Sequence, residues 1–541
     1  MGDTTLAADN TTTESAPVLI VGGSLVGLSA AVFLAWRGVP VVLAERHAGS
    51  SLHPRAIGYT TRTLELFRAT EIEVPESEQG SKPPRRARVE SLDGTWFEEY
   101  PWTPGGGRQR DAEYSPAHAT AIAQDRLEPI LRQRAAVLGA DLRLGTEVVS
   151  FTQDDAGVTA VLHRRDDGSE YQLRAQYLVA ADGASSGIRG TLGIDRRGEG
   201  LLSVQRSILF TAPLDEYLER GVVQWEIEQP DFKAFLITYS DGRWVLMLSD
   251  DIDRSPAEQR SVVHKAIGRT DIPIELITTG RWELAALIAD RFSSGRVFLA
   301  GDAAHQLPPN RGGFGANTGI DDAHNLAWKL AAVLSGESAP GLLDSYDAER
   351  RPIAELRHEQ IFARADYKAY LKTPKSDAVI LDESAIELGQ LYRSAAVLGV
   401  GANLPPARRP DEWAGQPGTR APHLWVIAGD QQRSTLDLFQ RGWVLLSEDD
   451  RWAAATAQAT GQLGIQVTFV HVGIDARPLK PNAFQVSYGI GSDGATLVRP
   501  DGYIAWRSQA APTDPALVLT SALAQATFAA AHPTRVSTKS R

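Results

Sequence analysis

Two glycine-containing turns, each directly after an apolar strand, carry the most recognisable chemistry of this 541-residue chain. In the first, residues 18–21 run into Gly22-Gly23-Ser24-Leu25-Val26-Gly27, and a glycine turn of this kind lets the backbone approach a dinucleotide pyrophosphate. In the second, residues 295–300 lead into Gly301-Asp302, where the carboxylate is placed to accept a hydrogen bond from a ribitol or ribose hydroxyl. One glycine fingerprint alone is a weak signal. The two together indicate a site for FAD rather than NAD.

The elements around the first turn agree with this interpretation. Residues 25–36 predict a helix whose unpaired N-terminal N–H groups favour an anion, and residues 39–43 predict a second strand that ends at Glu45-Arg46. Glu45 lies 23 residues after Gly22, close to the spacing at which an acid receives a ribose hydroxyl. Ser24 stands where the fingerprint has its second glycine, and we expect its hydroxyl to donate to a phosphate oxygen.

A second apparent fingerprint, Gly489-Ile490-Gly491-Ser492-Asp493-Gly494, has a different context. Two short predicted strands, residues 495–498 and 503–506, follow it around Pro500-Asp501-Gly502. Because no helix follows to receive a phosphate, we interpret this region as a hairpin. The sequence therefore predicts one dinucleotide fold, and a nicotinamide nucleotide would bind without a Rossmann domain of its own.

The composition bounds the remaining possibilities. With 43% hydrophobic and 23% charged residues the chain is typical of a globular protein, and its length predicts two or three domains. A net charge of −12 disfavours nucleic acid or an anionic membrane as a partner. The chain has no cysteine, so redox chemistry would need a bound cofactor, and we expect no metal site. We expect residues 1–16 to be a disordered tail without signal-peptide features, no transmembrane helix, and a cytoplasmic protein.

Three further motifs are more specific. A predicted strand ends in Asp182-Gly183-Ala184-Ser185-Ser186-Gly187-Ile188-Arg189, a second motif is Gln124-Asp125-Arg126-Leu127-Glu128-Pro129, and Pro308-Pro309-Asn310-Arg311-Gly312-Gly313 follows Asp302. With these motifs the chain resembles the single-component FAD-dependent aromatic hydroxylases, which are class A flavoprotein monooxygenases. Within them it is similar to the aromatic polyketide hydroxylase branch of the phenol-hydroxylase-like group. The resemblance covers residues 17–370 strongly and the remainder more loosely.

The resemblance implies a role for most of these residues. Glu45 would hold the adenosine ribose, Arg126 would contact the pyrophosphate, Asp302 would bind the ribitol, and Asp182 would serve both FAD and NADPH. Arg55 would lie on a mobile loop that contacts the flavin or the substrate, and residues 309–317 would lie against the isoalloxazine. The complete predicted cofactor-binding set is Gly22, Ser24, Leu25, Val26, Gly27, Glu45, Arg46, Arg55, Gln124, Arg126, Asp182, Asp302, Pro309, Gly313, Gly315, Ala316 and Asn317.

Elementary physics supports the last part of this set. The glycines between residues 312 and 319 allow the backbone to lie close to a flat ring, and the helix predicted to begin near Asn317 directs its positive end at that ring, which stabilises an anionic reduced flavin. We interpret His305 as a structural hydrogen-bonding residue and place Asp321-Asp322 in the first turn of this helix. No catalytic side chain is assigned.

The rest of the chain predicts two more domains. Residues 204–210, 222–227, 234–239 and 243–248 predict a strand meander that the resemblance identifies as the substrate pocket, with Trp225, Phe235 and Tyr239 as candidate lining residues. Core packing is the alternative for each of them. The strand and helix order after residue 423 resembles a thioredoxin-like domain, which without cysteine cannot exchange disulfides and would be structural or contact a dimer partner.

We therefore predict an α/β protein in which a Rossmann-like FAD-binding domain carries an inserted β-sheet substrate domain and a C-terminal thioredoxin-like domain. The predicted boundaries are 17–190 and 284–398 for the FAD-binding domain, 191–283 for the substrate domain, 399–422 for a linker rich in proline, glycine and arginine, and 423–541 for the thioredoxin-like domain.

The resemblance implies a monooxygenase that uses NADPH or NADH and O2 to hydroxylate a phenolic, polycyclic, polyketide-like aromatic of antibiotic biosynthesis, through an oxygen adduct at C4a of the flavin. Two alternatives stay open. One is a Baeyer–Villiger insertion of oxygen into a ring ketone, and the other is non-catalytic binding of a planar aromatic compound. The choice between NADPH and NADH and the existence of a homodimer stay open as well.

Overall fold

The computed structural model describes residues 13–53, 56–75, 85–101, 114–239, 241–309, 314–364 and 378–529. An eight-stranded sheet forms the first domain. Its parallel strands are, in spatial order, Val297–Leu299, Glu170–Ala180, Glu14–Val21, Val41–Glu45 and Asp141–Leu144. Ser293–Ser294 and the hairpin Thr146–Asp154 with Gly157–Arg164 add antiparallel strands.

The parallel strands are apolar along their whole length because helices cover the sheet. Leu25–Trp36 is buried at almost every position and contacts both Gln124–Val137 and Phe314–Leu334. The first strand begins earlier than predicted, since Glu14 pairs with Leu173. Residues 14–16 thus belong to the sheet and not to a disordered tail; residues 1–12 lie outside the described part of the chain. The helices of the described residues are Leu25–Trp36, Thr61–Ala69, Gln124–Val137, Gly187–Thr191, Pro256–Ile267, Phe314–Leu334, Ser345–Ala363, Glu383–Leu388, Arg451–Leu463, Ala483–Tyr488 and Pro515–Thr527.

A second eight-stranded sheet forms the middle domain. In spatial order its strands are His305–Gln306, Glu275–Ala289, Arg196–Thr211, Arg243–Leu248, Phe232–Thr238, Val222–Gln229, Arg85–Val89 and Trp96–Pro101. All four predicted strands are present and pair antiparallel, but they do not form the simple meander predicted. Arg196–Thr211 pairs with Arg243–Leu248 instead of with Val222–Gln229, so only the last three follow one another as neighbours. The last two strands were assigned by sequence to the FAD-binding domain, which is wrong. Arg85–Val89 is arginine-rich and carries no clear alternation, and it joins the sheet by parallel pairing with Val222–Gln229.

The C-terminal domain is a four-stranded mixed sheet with both faces covered. In spatial order the strands are Val467–His471, Trp443–Ser447, Ala495–Val498 and Ile504–Ser508. Helices Arg451–Leu463 and Pro515–Thr527 pack on one face, and a small sheet of Trp425–Ala428, Gln431–Ser434 and Arg477–Pro478 packs on the other with Ala483–Tyr488. The order fits the predicted thioredoxin-like domain. The hairpin prediction for the region after Gly489 is confirmed, since Ala495–Val498 pairs with Ile504–Ser508.

The predicted linker 399–422 is a packed part of the structure instead of a loose connection. Trp413, Thr419, Arg420 and Ala421 are buried. Arg420 makes a bidentate ion pair with Glu65, whose Oε2 lies 2.9 Å from Arg420 Nε. The composition of residues 399–422 indicated a linker because the segment is rich in proline and glycine. The ion pair between Arg420 and Glu65 nevertheless anchors this segment to the first domain.

A buried ionic cluster joins the C-terminal domain to helix Ser345–Ala363. Glu349 accepts from Arg499 at 2.6 and 2.9 Å and from Lys329 at 2.8 Å, and all three side chains are fully buried. Asp501 also accepts from Arg499, and Trp328 donates its indole N–H to Asp501. The two domains therefore share one charged core. Among the described residues, no helix combines the length and apolar character that crossing a bilayer requires.

His324 makes the stability of the first domain sensitive to acid. This buried imidazole on Phe314–Leu334 lies edge-on to Phe33, with 5.1 Å between ring centroids. Burial, assisted by Arg62 and Arg37, lowers the pKa of His324 from 6.5 to about 3. Below about pH 6.5 the unfolded chain binds a proton that the folded protein does not, so stability falls by up to roughly 1.4 kcal/mol per pH unit.

Replacing His324 by phenylalanine should remove this dependence. Urea unfolding at pH 7.5 measures the packing cost of the change, since the imidazole is neutral there in both states. The variant should then gain stability relative to the wild type as the pH falls to 5. A difference that stays constant over this range would show that His324 does not titrate as proposed.

Candidate active site

The carboxyl ends of four neighbouring parallel strands bring the predicted residues to one edge of the sheet, where open α/β sheets bind their ligands. Gly22 follows the first strand at φ +105°, and a Cβ there would lie 2.3 Å from the carbonyl oxygen of Ala181, which follows the neighbouring strand. A Cβ at Gly27 would lie 1.9 Å from the Gly22 carbonyl oxygen. Both glycines are thus required by the tight turn. Leu25 is buried behind it.

The acid at the end of the second strand closes the turn. Glu45 Oε2 accepts from the Gly23 N–H at 2.6 Å, and Oε1 accepts from the His47 N–H at 2.7 Å. Arg46 is exposed beside it. The carboxylate of Glu45 therefore fixes the backbone that would face the pyrophosphate, and its contact with a ribose stays a prediction.

Ser24 does not have the role predicted from the sequence. Its hydroxyl donates to Glu128 Oε1 at 2.7 Å and accepts from Gln124 Nε2 at 2.9 Å. Gln124 also donates to Glu128 at 2.8 Å. The serine hydroxyl is thus directed at a buried carboxylate on Gln124–Val137 instead of at a phosphate. Sequence reasoning missed Glu128, although its i+4 spacing from Gln124 places both side chains on one helix face.

Gln124 also supports the loop that carries one more predicted contact. Its Oε1 accepts from the Ala56 N–H at 3.3 Å, and its own N–H donates to the Ala56 carbonyl at 2.9 Å. Arg55 precedes Ala56 and lies outside the described residues, as does Gly313.

Asp302 lies just past the end of strand Val297–Leu299. Within the described part of the chain, nothing donates to its side chain, which is half-buried. The turn before it is held by close packing, since a Cβ at Gly301 would lie 2.8 Å from Val26 Cγ2 and a Cβ at Gly319 only 2.5 Å from the same atom. Val26 therefore packs the first helix directly against the Gly301-Asp302 turn.

Asp182 presents a second unsatisfied oxygen. Its Oδ2 accepts from the Ile188 N–H at 3.3 Å, while its Oδ1 is buried with no partner in the described structure. Arg189, from the same motif, donates to the carbonyls of Ala303 at 2.8 Å and Ala184 at 3.0 Å. The arginine thus ties the Asp182 loop to the Asp302 loop, a role that the motif spacing alone did not disclose.

Helix Phe314–Leu334 points its N-terminus into the same region. Gly315 and Ala316 are half-buried in its first turn, and Pro309 is exposed just before it. The Asn317 side chain, however, is buried and committed to the protein: its Oδ1 accepts from the Thr60 N–H at 3.0 Å and from Thr63 Oγ1 at 2.6 Å. A flavin contact through the Asn317 side chain is therefore not what the structure favours.

The placement of Asp321 and Asp322 in the first turn of this helix is wrong. The helix begins at Phe314, so both carboxylates lie deeper along it, where Arg350 donates to Asp321 at 2.6 Å and to Asp322 at 2.7 Å. Burial alone would raise the pKa of Asp321, but Arg350 and Arg62 outweigh it and hold that pKa at about 2.

His305 belongs to this buried network. Its Nε2 lies 2.6 Å from Asp322 Oδ2, which also accepts from the Gly301 N–H at 3.2 Å. The side chain is fully buried. The contact makes His305 a support of the Gly301-Asp302 turn.

The middle sheet turns one face toward this region, and strand register identifies the face. On this face, Gly280 lies close to His53 of the first domain. From Gly280, direct pairing across neighbouring strands leads to Ser207, then to Met247 and finally to Phe235. Directly paired residues project on the same side. Phe235 therefore faces the first domain. Tyr239 follows the last residue of this strand, and its ring lies 5.3 Å from the guanidinium of Arg243, which pairs with Asp125 of the first domain.

Trp225 faces the other way, which corrects its prediction as a lining residue. It is fully buried in the core under helix Pro256–Ile267 and lies 5.5 Å from Trp244, ring centroid to centroid. The sequence showed the alternation of aromatic residues but not which side met the helix.

Ion pairs join the end of this sheet to the first domain. Arg126 lies 3.1 Å from Asp241, and Arg243 lies 2.7 Å from Asp125. Arg126 is about half exposed, so it stays accessible for the predicted pyrophosphate contact.

The comparisons with known proteins agree with this arrangement. The family described as FAD binding domain matches residues 15–360, and the family described as aromatic-ring hydroxylase, C-terminal, matches residues 414–530. The chain belongs to the FAD-dependent aromatic-ring hydroxylases. This hydroxylase is a flavoprotein monooxygenase with FAD as cofactor and NAD(P)H as co-substrate, and its predicted fold class is confirmed.

Individual relatives match over nearly their full length. A 4-methyl-5-nitrocatechol 5-monooxygenase of a Burkholderia species is 40% identical, with 94% of this chain and 96% of the relative covered. An aklavinone 12-hydroxylase of Streptomyces purpurascens is 38% identical, with 94% and 98% covered. The solved ternary complex of an aklavinone-11 hydroxylase with FAD and aklavinone superimposes with a TM-score of 0.87 at 36% identity, covering 95% of this chain and 99% of that one.

The residues of the hydroxylase fit its cofactor. Among the residues that the structure describes, Asp182 Oδ1 is a buried acceptor without a partner and no group donates to the Asp302 carboxylate. The Gly22 turn leaves no room for a side chain. Glu45, Arg126 and Asp302 would hold the ribose, pyrophosphate and ribitol. The first turn of Phe314–Leu334 would face the ring system.

Proposed function

We propose that this hydroxylase adds one oxygen atom of O2, as a hydroxyl group, to a phenolic ring of a fused-ring aromatic substrate, while electrons from NAD(P)H reduce the other oxygen atom to water. The observation that carries the proposal is the sheet face that meets the first domain. Phe235, Ile237, Met247 and Trp282 lie on it and stay partly exposed. The residues paired with them project on the same side and are polar, namely Glu226, Gln224, Ser207 and Gln205. The face thus offers apolar area together with hydrogen-bonding groups, which suits a flat phenolic ring system better than a small polar ligand.

The chain's residues would act by binding, orienting and excluding water. Bound FAD supplies electron transfer from the nicotinamide and the activation of O2. The apolar side chains of this sheet face would hold the aromatic ring in place and keep water from the reacting atoms. The positive end of Phe314–Leu334 would favour negative charge on the ring system in front of it.

The relatives support this substrate class and also a second one. Two Streptomyces relatives are named tetracenomycin monooxygenase-dioxygenases, at 37% and 38% identity. The Burkholderia relative is named for a single-ring nitrocatechol. A one-ring phenol is therefore the second candidate, and the same assay separates the two.

The experiment is a substrate panel on the FAD-loaded enzyme. Hydroxylated anthraquinones and naphthacenes are compared with single-ring catechols for stimulation of NADPH oxidation, and each product is assigned by mass and NMR. We expect a fused-ring phenol to stimulate oxidation and to gain one hydroxyl on an intact ring. A lactone would instead indicate Baeyer–Villiger insertion, stimulation by catechols alone would favour the second candidate, and no stimulation by any ligand would contradict both.

Two variants on opposite sheet faces test the placement of the substrate. Phe235→Ala removes apolar area from the proposed pocket and should raise KM for the fused-ring substrate roughly tenfold, with little change in the unfolding midpoint. Trp225→Ala should cost about 3–5 kcal/mol of stability, because it leaves a cavity in the core under the helix. The placement is wrong if Phe235→Ala changes stability and not KM.

A further inference from the structure

Arg357 is a buried cation for which the described part of the chain offers no carboxylate in ion-pair contact. It lies on helix Ser345–Ala363 with 1% of its surface exposed. Its Nη1 donates to Thr318 Oγ1, its guanidinium lies 5.4 Å from the Phe314 ring centroid, and its Nε has no partner in the described structure. Thr318 in turn donates to the Phe314 carbonyl at 2.6 Å. The charge therefore sits against the first two turns of Phe314–Leu334.

The other guanidinium groups around it are all matched. Arg420 pairs with Glu65, Arg62 with Glu65 and Asp321, and Arg350 with Asp321 and Asp322. Asp321, Glu387 and Asp322 act on Arg357 through space, but no carboxylate in the described part of the chain forms an ion pair with it. Arg357 is thus the one guanidinium of these four without an ion-pair partner among the described residues.

An uncompensated buried charge is costly, so a balancing anion should bind near it. Arg357 and the N-terminal turn of Phe314–Leu334 both place positive potential in front of that helix, where the flavin ring would lie. Neither feature alone would define a site. Together they indicate where an anion would bind, because Arg357 has no ion-pair partner among the described residues and lies beside the positive N-terminus of Phe314–Leu334.

We propose that Arg357 is a positioning residue whose charge, acting beside Thr318 and the first turn of Phe314–Leu334, balances an oxyanion bound in front of that helix. The oxyanion comes from one of two sources, the anionic reduced flavin or the phenolate of the substrate. The proposal rests on the flavin placement and the proposed function above. It extends them by assigning an electrostatic role to a residue outside the predicted cofactor set.

The test compares Arg357→Met and Arg357→Lys with the wild type and with Arg351→Met. Arg351 is on the same helix but partly exposed and paired with Asp347 and Glu355, so its loss should change nothing measured here. The first readout is the pH at which reduced, enzyme-bound FAD ionises, followed by absorbance without substrate. The second is the dissociation constant of a phenolic ligand of the oxidised enzyme as a function of pH.

If the flavin is the anion, Arg357→Met should raise the ionisation pKa of reduced FAD by roughly one unit and Arg357→Lys should restore most of it. If the phenolate is the anion, that pKa stays constant and the ligand binds roughly tenfold more weakly to Arg357→Met above its own phenol pKa. Unchanged values in both readouts overturn the proposal. Should Arg357→Met not fold, Arg357→Gln, whose amide can still donate to Thr318, replaces it. Since the first readout needs no turnover, it is independent of the product assay that tests the proposed function.

Discussion

Replacing Asp302 by alanine should give a folded but largely colourless protein. The carboxylate is unpartnered among the described residues and follows a buried strand, so its loss removes charge-assisted hydrogen bonds to the ribitol and little else. Such bonds contribute about 1.5–3 kcal/mol each, which corresponds to a roughly 10- to 150-fold increase in the dissociation constant of FAD. The dissociation constant is measured from the quenching of FAD fluorescence as apoprotein is added. Asp302→Asn should fall between the wild type and alanine.

Asp290→Asn is the matched control. Asp290 lies twelve residues before Asp302 in the sequence, but its partly exposed carboxylate pairs with Arg197. This change should leave FAD affinity as it is. The assignment of Asp302 to the ribitol would be refuted if the two variants bound FAD equally well, or if Asp302→Ala lost its fold together with its colour.

Replacing Arg499 by methionine should produce a large loss of stability although the residue lies outside the cofactor site. Arg499 links Glu349 and Asp501, and all three side chains are buried. Removing one member of a buried ion pair leaves the others unpaired, at a cost of about 3–5 kcal/mol. The thermal unfolding midpoint should fall by roughly 10 °C. Because Glu349 sits on the helix that also carries Arg350 and Arg357, FAD should be released at a lower temperature as well.

The control and the pH dependence sharpen this prediction. Arg451→Met breaks an exposed pair with Asp449 in the same domain and should change stability by less than about 1 kcal/mol. Burial alone would raise the pKa of Glu349, but Arg499 and Lys329 hold this pKa well below its usual range. The free energy of unfolding of the wild type therefore exceeds that of Arg499→Met by the full amount above the ordinary glutamate pKa. This difference decreases as the pH falls below that value. Equal midpoints for both variants would mean that the two domains do not share a charged core.

Several parts of the molecule could be predicted because their signals are local. The strand before Gly22, the turn and the following helix form a continuous pattern, and the same holds for the strand before Gly301-Asp302. The absence of cysteine from the whole chain made a bound cofactor the only route to redox chemistry. The hairpin after Gly489 followed from two short strands around Pro500-Asp501-Gly502. Family motifs added the cofactor and the reaction class.

Other features depend on residues far apart in the sequence. The direction of the Ser24 hydroxyl depends on Glu128, 104 residues away, and the packing of the predicted linker depends on Glu65, 355 residues from Arg420. Strands Arg85–Val89 and Trp96–Pro101 joined the middle sheet through pairing partners that no local pattern discloses. The roles of the individual cofactor residues stay predictions, and the structure supplies their geometry.

By itself the sequence determined where the chain turns, which strands are buried, and that a dinucleotide redox cofactor is bound, because glycine conformation, hydrophobic period and missing thiols act locally or through composition. Only the tertiary structure decided that Trp225 packs under a helix while Phe235 faces the cofactor domain. It also decided that Asn317 accepts hydrogen bonds from Thr60 and Thr63, and that Arg357 has no ion-pair partner among the described residues. Each of these depends on which groups meet after folding. A side chain's partner in space is set by packing between distant segments, and the residue type alone does not carry that information.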